Sequence, residues 1–166
     1  NWSIKNPGEF WSSVWDFCQV IGTKSNNKIK KSKIFYQNIF LPNSSLNFAQ
    51  NLLSKDTDTK AITFLSENGF REERTWKNLH NNLGKFQDFF SKIKVINKDR
   101  VAAYTINSIE TVEAFLATSS IGAIWSSCSP DFGINGVIER FRQIKPKILF
   151  VTDRYYYNGK EINILE

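Results

Sequence analysis

The chain has 166 residues, of which 41% are hydrophobic and 23% charged, enough apolar material for one domain of ordinary size and too much for a disordered polymer. Its formal charge of +6 favours anionic ligands. No apolar run approaches the ~20 residues that cross a bilayer and no basic-then-apolar leader opens the chain, so neither a membrane span nor a secretory signal is expected.

In chain order, Asn6-Pro7-Gly8-Glu9 predicts a helix start, with Asn6 as cap and Pro7 at the first helical position. Phe10, Val14, Phe17, Cys18 and Ile21 follow at helical spacing, with Trp11 and Trp15 widening the stripe, and Gly22 is the expected stop. The basic run Lys28, Lys30, Lys31 and Lys33 comes next, beside Phe35 and Tyr36. A solvated loop is the plainer reading of that run, and contact with nucleic acid or an acidic partner the sharper one. Residues 34–41 read as extended and residues 46–53 as a short helix with Leu46, Ala49, Leu52 and Leu53 on one side. Composition changes at the charged stretch 54–59. A helical leader over 1–56 is therefore expected to precede an α/β unit over 57–166.

Residues 61–66 and 71–75 flank Asn68-Gly69, a strong hairpin signal. Thr75 can cap a helix over 76–94 carrying Trp76, Leu79, Leu83, Phe86, Phe89, Phe90 and Ile93. His80 lies beside this stripe and reads as a structural histidine, since no titratable partner has the right spacing. Residues 100–105 predict a strand. Asn107 with Glu110 gives a capping-box pattern for a helix ended by Gly122. Residues 123–128 predict the next strand, Asp131 a cap for a helix over the 134–144 periodicity, and residues 147–152 a third strand.

The alternation strand, helix, strand, helix, strand with short connections predicts an α/β fold: a parallel sheet flanked by helices, preceded by the helical N-terminal leader and the β-hairpin. The apolar strand runs suggest that both sheet faces are covered.

Ligands of such sheets lie beyond the carboxyl ends of the strands. The second of these ends is rich in small hydroxyl residues, Ser126, Ser127 and Ser129 around Cys128, and helix amides behind Asp131 favour anions. A serine-rich turn with no ligand is the equally weighted structural reading. The third end holds Tyr155, Tyr156 and Tyr157 followed by Asn158, Gly159 and Lys160, able to offer an aromatic face and a phosphate partner. No Gly-rich phosphate loop of usual spacing is present, and a single His supports no Ser-His-Asp arrangement. No catalytic residue and no metal ligand is assigned. Cys18 and Cys128 are far apart and read as reduced thiols of a cytoplasmic protein, with a Cys128 nucleophile as the alternative. Met is absent even at position 1, so the chain is expected to be a piece of something longer.

Residues 121–150, IGAIWSSCSPDFGINGVIERFRQIKPKILF, resemble the corresponding segment of acetoacetyl-CoA synthetases, in the acyl-adenylate-forming superfamily. The string WSSCSPDFG at 125–133 is the most specific part. Phe10-Trp11, the run from Val14 to Cys18, residues 46–53, residues 99–103 and Tyr157-Asn158-Gly159-Lys160 resemble that family in the same order, so the likeness covers nearly the whole chain. It implies a two-step ligase acting on acetoacetate, ATP and CoA, with Mg2+, through an acyl-adenylate. It also implies that the family's phosphate loop, nucleotide contacts and catalytic lysine lie outside these residues, so that this stretch alone is inactive and its partners are small molecules and the remainder of its own chain, with no nucleic acid or membrane. By the same resemblance Ser129, Pro130, Asp131 and Lys160 are CoA-binding, Lys160 facing a CoA phosphate. The chain departs from the family at Asn158, neutral near a basic family position. It departs again at residues 106–108, which replace a Pro-flanked turn, and acetyl-type relatives carry glycines and aromatics in place of Ser129-Pro130-Asp131.

Overall fold

The structure is a computed structural model, described over residues 1–165. It divides into two compact units, residues 1–52 and residues 53–166.

In the first unit, helices α1 (Trp2–Lys5) and α2 (Pro7–Phe17) precede four two-residue strands, β1 (Gly22–Thr23), β2 (Ile29–Lys30), β3 (Ile39–Phe40) and β4 (Ser45–Leu46), and helix α3 (Phe48–Leu52). β1 pairs antiparallel with β4 and β2 with β3. Phe10 and Trp11 of α2 link Trp2 of α1 to Phe40 of β3 in a chain of rings with centroids 5.2–6.0 Å apart, edge-on at the first two contacts and tilted at the third.

Four expectations fail here. Asn6 occupies the cap position of α2, but its side chain makes no capping bond. The helix stops at Phe17, not Gly22, because Asn51 brackets Ile21: its Oδ1 accepts from the Ile21 N–H at 2.8 Å and its Nδ2 donates to the Ile21 carbonyl at 2.9 Å. Both backbone groups of Ile21 are thus taken by a side chain thirty positions away, and no helical hydrogen bond is left for them. Gly22 instead lies in β1, where a Cβ would sit 2.4 Å from the Ser45 carbonyl oxygen. The stretch 34–41 is not continuously extended; a 3-10 turn, Phe35–Gln37, interrupts it before β3. Leu46 belongs to β4, so α3 is shorter than expected and buries only Ala49.

In the second unit, β5 (Lys60–Leu65) and β6 (Arg71–Thr75) form the antiparallel hairpin expected around Asn68-Gly69, with Gly69 at φ +84°. Helix α4 (Trp76–Lys92) follows, capped by Thr75 Oγ1, which accepts from the Asn78 N–H at 3.1 Å. Leu79, Leu83 and Phe90 are its buried face. Then come β7 (Arg100–Tyr104), α5 (Ile109–Ser120), β8 (Ile124–Cys128), α6 (Ile134–Ile144) and β9 (Ile148–Val151). The three strands make a parallel sheet in the order β8-β7-β9.

Strand register sorts the side chains between two faces. Val101, Ala103, Trp125 and Phe150 share one, where Phe86 and Phe90 of α4 meet Phe150 and Phe115 of α5 meets Trp125. Ala102, Tyr104 and Cys128 share the other, against Phe141, Val137 and Ile144 of α6. The expectation that both faces are covered holds for the central strand, with Val101, Ala102 and Ala103 at 0% exposure. It fails for the outer strands, where Ile124, Leu149 and Val151 on the α6 side remain 51%, 48% and 40% exposed, because one helix cannot shield three strands.

An arginine ties the hairpin to the helices. Arg74 pairs with Glu72, with Glu110 at 3.4 Å and with the buried Glu113 at 3.2 Å, whose carboxylate also accepts from Asn82 at 2.8 Å. Beyond β9, where no element was assigned from the sequence, β10 (Arg154–Tyr157) and β11 (Lys160–Asn163) form a second hairpin. Its turn is Asn158-Gly159 with φ of +51° and +72°, the two positive angles of a tight two-residue hairpin turn.

Candidate functional site

The carboxyl ends of β7 and β8, with the hairpin that follows β9, open into one cleft of about 310 Å3. The β7 end contributes Thr105, Ile106 and Asn107; the β8 end contributes residues 127–131; the hairpin contributes Tyr155 and Tyr157. This is where an open parallel sheet binds ligands.

The floor is a chain of hydroxyls. Thr105 Oγ1 lies 2.7 Å from Thr152 Oγ1 and 2.9 Å from Thr111 Oγ1, and Thr111 donates to the Ile106 carbonyl at 2.8 Å. These bonds fasten the ends of β7 and β9 to the first turn of α5. That helix starts one residue later than expected: Ser108, not Asn107, is the cap, its Oγ accepting from the Thr111 N–H at 3.3 Å. Asn107 is thereby released to line the cleft.

The wall is the loop 129–132. A turn closes it, with the Phe132 N–H donating to the Ser129 carbonyl at 3.1 Å. Asp131 does not cap α6; Gly133 occupies that position, and no side chain bonds there. The Asp131 carboxylate is engaged elsewhere, accepting from Ser129 Oγ at 2.8 Å and from Tyr155 Oη at 3.1 Å. The Tyr104 hydroxyl lies 2.7 Å from the Pro130 carbonyl and 3.1 Å from that of Phe132. Arg140 of α6 stacks over the Phe132 ring at 4.8 Å. Partial burial and the Asp131 carboxylate push the Tyr155 phenol above the ordinary tyrosine range, so it stays a donor.

The structure therefore gathers Ser129, Pro130 and Asp131 in one wall. Lys160 is not among the lining residues, but it stands directly opposite Tyr157 in the hairpin register. Alternation along the strands puts Tyr155, Tyr157, Lys160 and Ile162 on one face, the face from which the two tyrosines reach the cleft. Tyr156 is on the other face and takes no part. The sequence reading missed this hairpin and Tyr104. The first had a usable signal, an Asn-Gly pair of the kind read correctly at 68–69; Tyr104 stands at a strand end where ligands are expected, but its bonds to the loop had no sequence signal.

Cys128 lines the cleft but is buried, and burial pushes its thiol up, with the Arg140 charge opposing to a lesser degree. That is the environment of a packed thiol rather than a nucleophile. Cys18 is exposed and free. His80 donates from Nε2 to the Lys55 carbonyl at 2.8 Å, a structural bond. In the basic run, Lys28 is paired with Glu9 at 2.6 Å. Among the described residues no three acidic, His or Cys side chains converge as a metal site would require, and no helix is long and apolar enough to cross a membrane.

The family described as AMP-binding enzyme matches residues 49–165. The acetoacetyl-coenzyme A synthetase of Rhizobium meliloti (strain 1021) is 41% identical over 99% of the chain and 25% of its own length. The acetoacetyl-CoA synthetase of Gallus gallus is 37% identical over the same shares. Among solved structures, the acetoacetyl-CoA synthetase from Streptomyces lividans superposes with a TM-score of 0.88 at 29% identity, covering 98% of this chain and 26% of that one. The chain thus spans about a quarter of the length of the curated relatives it matches. With residues 49–165 matched, well over half of its length, the chain belongs to the AMP-binding enzyme family.

Proposed function

We propose that these residues are one part of an acid–thiol ligase that joins acetoacetate to CoA at the expense of ATP. In the first step a carboxylate oxygen attacks the α-phosphorus of ATP, pyrophosphate leaves and an acyl-adenylate forms. In the second the CoA thiol, losing its proton, attacks the acyl carbon and AMP leaves. The observation that carries this reading is likeness to acetoacetyl-CoA synthetases along nearly the entire chain, in sequence and in backbone together.

Within that ligase the part played by this stretch is scaffold and thiol-cofactor wall, with residues 1–56 as leader and 57–166 as the start of the nucleotide-handling domain. Ser129, Pro130 and Asp131 form the surface against which the CoA adenine packs, and Lys160 meets a CoA phosphate. Supporting this are the place of Ser129, Pro130 and Asp131 in the cleft wall and the position of Lys160 on the tyrosine-bearing face of the hairpin. Mg2+ does not fit the described residues of this stretch, among which no three acidic, His or Cys side chains converge. Further chain contributes the remaining substrate contacts and covers the exposed sheet residues. The setting is cytoplasmic, in keeping with two unpaired cysteines.

The test is turnover by the polypeptide that the intact gene encodes. Release of AMP and pyrophosphate that requires acetoacetate, ATP and CoA together is the expected result, with none from residues 1–166 alone. Turnover by residues 1–166, or indifference of the longer protein to acetoacetate, overturns the reading.

A further inference from the structure

The loop 129–132 has few fastenings of its own. Its following residue is glycine, α6 begins without a side-chain cap, and Asp131 and Phe132 are exposed to solvent. Two tyrosines from different elements hold it. Tyr104, the last residue of β7, reaches the Pro130 and Phe132 carbonyls. Tyr155, in β10, reaches Asp131 Oδ1 at 3.1 Å, while Ser129 Oγ occupies Oδ2 at 2.8 Å. The first bond ties the loop to the sheet; the second ties it to the hairpin that carries Tyr157 and Lys160.

With both oxygens engaged, the Asp131 carboxylate holds the loop, and Asp131 contributes to the wall by shape and packing rather than by proton transfer. A carboxylate that accepts a phenol and a hydroxyl is a strong anchor, since bonds to charged acceptors exceed neutral ones. Of the bonds that fix the loop, the Tyr155–Asp131 one is the direct side-chain link between the serine-rich wall and the hairpin that carries Lys160.

We infer that Tyr104 and Tyr155 are positioning residues, clamping the loop 129–132 between sheet and hairpin so that wall and lysine face each other across the cleft. The inference rests on the thiol-cofactor reading of that cleft. Neither phenol need touch the cofactor; both act through the loop, and Asp131 receives the Tyr155 bond while remaining part of the wall against which the cofactor packs.

The test uses the intact ligase with Tyr155→Phe, Tyr104→Phe, Asp131→Ala and the Tyr155→Phe/Asp131→Ala pair, all of which keep the apolar packing of the rings. Each single change is expected to raise KM for CoA by about fivefold, the worth of one ordinary hydrogen bond, with a smaller effect on kcat. In the pair, Tyr155→Phe is expected to add nothing to Asp131→Ala, because the bond is already gone. Effects that multiply overturn the inference, since a merely structural pair of residues would weaken the protein independently. An unchanged KM for CoA in Tyr155→Phe, beside a raised one in Lys160→Ala, overturns the clamp and leaves the cofactor reading standing. If neither Tyr155→Phe nor Lys160→Ala moves KM for CoA, the cofactor reading falls and takes the clamp with it.

Discussion

Tyr157 and Lys160 face each other across the two-residue turn of the β10–β11 hairpin. The pairing depends on backbone more than on either side chain. Asn158 and Gly159 both hold positive φ, and of the two Gly159 is at +72° with open space around its α-carbon. A β-carbon there meets no neighbour, so the cost of adding one is conformational. Gly159→Ala is expected to destabilise the hairpin by about 1 kcal/mol. Faster amide exchange confined to β10 and β11 would bear this out; unchanged exchange would show that the turn is not what holds Lys160 on the tyrosine face.

Arg74 offers a sharper stability test. Glu113 is 2% exposed, and Arg74 is the cation that meets it. Removing Arg74 leaves a buried carboxylate with only Asn82 to answer it. Arg74→Ala is expected to cost about 3 kcal/mol in urea unfolding, far beyond a surface ion pair. A loss near that of a surface pair would mean that water reaches Glu113.

Acid stability should depend on Asp99. Its carboxylate accepts from the Ile96 N–H at 2.9 Å and from Lys147 Nζ at 2.9 Å, and these, in that order, hold it below the usual aspartate range. A depressed folded value means that the stabilisation is present above the unfolded aspartate value near ~3.9 and is lost as pH falls through the folded one. In Asp99→Asn the decline of stability below about pH 4 should be shallower than in the parent. An identical acid limb would remove Asp99 from the balance.

The thiols should separate kinetically. Cys18 is exposed and Cys128 buried with its thiol pushed up, so a thiol reagent should label the first rapidly and the second only on unfolding. Fast labelling of both in the folded protein would contradict the packed position of Cys128.

Much of this architecture was legible without coordinates. The β5–β6 hairpin, α4 and the alternation from β7 to β9 announced themselves through local signals: an Asn-Gly turn, apolar side chains at helical spacing, short apolar runs between them. What stayed hidden was decided by contacts distant in sequence. The end of α2 depends on Asn51, and the true partner of Asp131 is Tyr155, twenty-four positions on. Capping residues were misplaced by one at Ser108 and by two at Gly133 because Asn and Asp are good caps in isolation and lose only to the geometry of the preceding turn. The gathering of the serine-rich loop beside the tyrosine hairpin followed from topology: once the sheet is parallel, its carboxyl ends share an edge. The hairpin itself was overlooked because three consecutive tyrosines drew the reading toward stacking and away from the Asn-Gly that follows them.

The most direct measurement is the set of Michaelis constants of the intact ligase carrying Lys160→Ala. A lysine that meets a CoA phosphate should, on removal, raise KM for CoA by about tenfold while KM for ATP and for acetoacetate changes by less than about twofold, and Lys160→Arg should recover most of the loss. Equal rises for all three substrates, or a KM for CoA that does not move, would contradict the assignment of this cleft to the thiol cofactor.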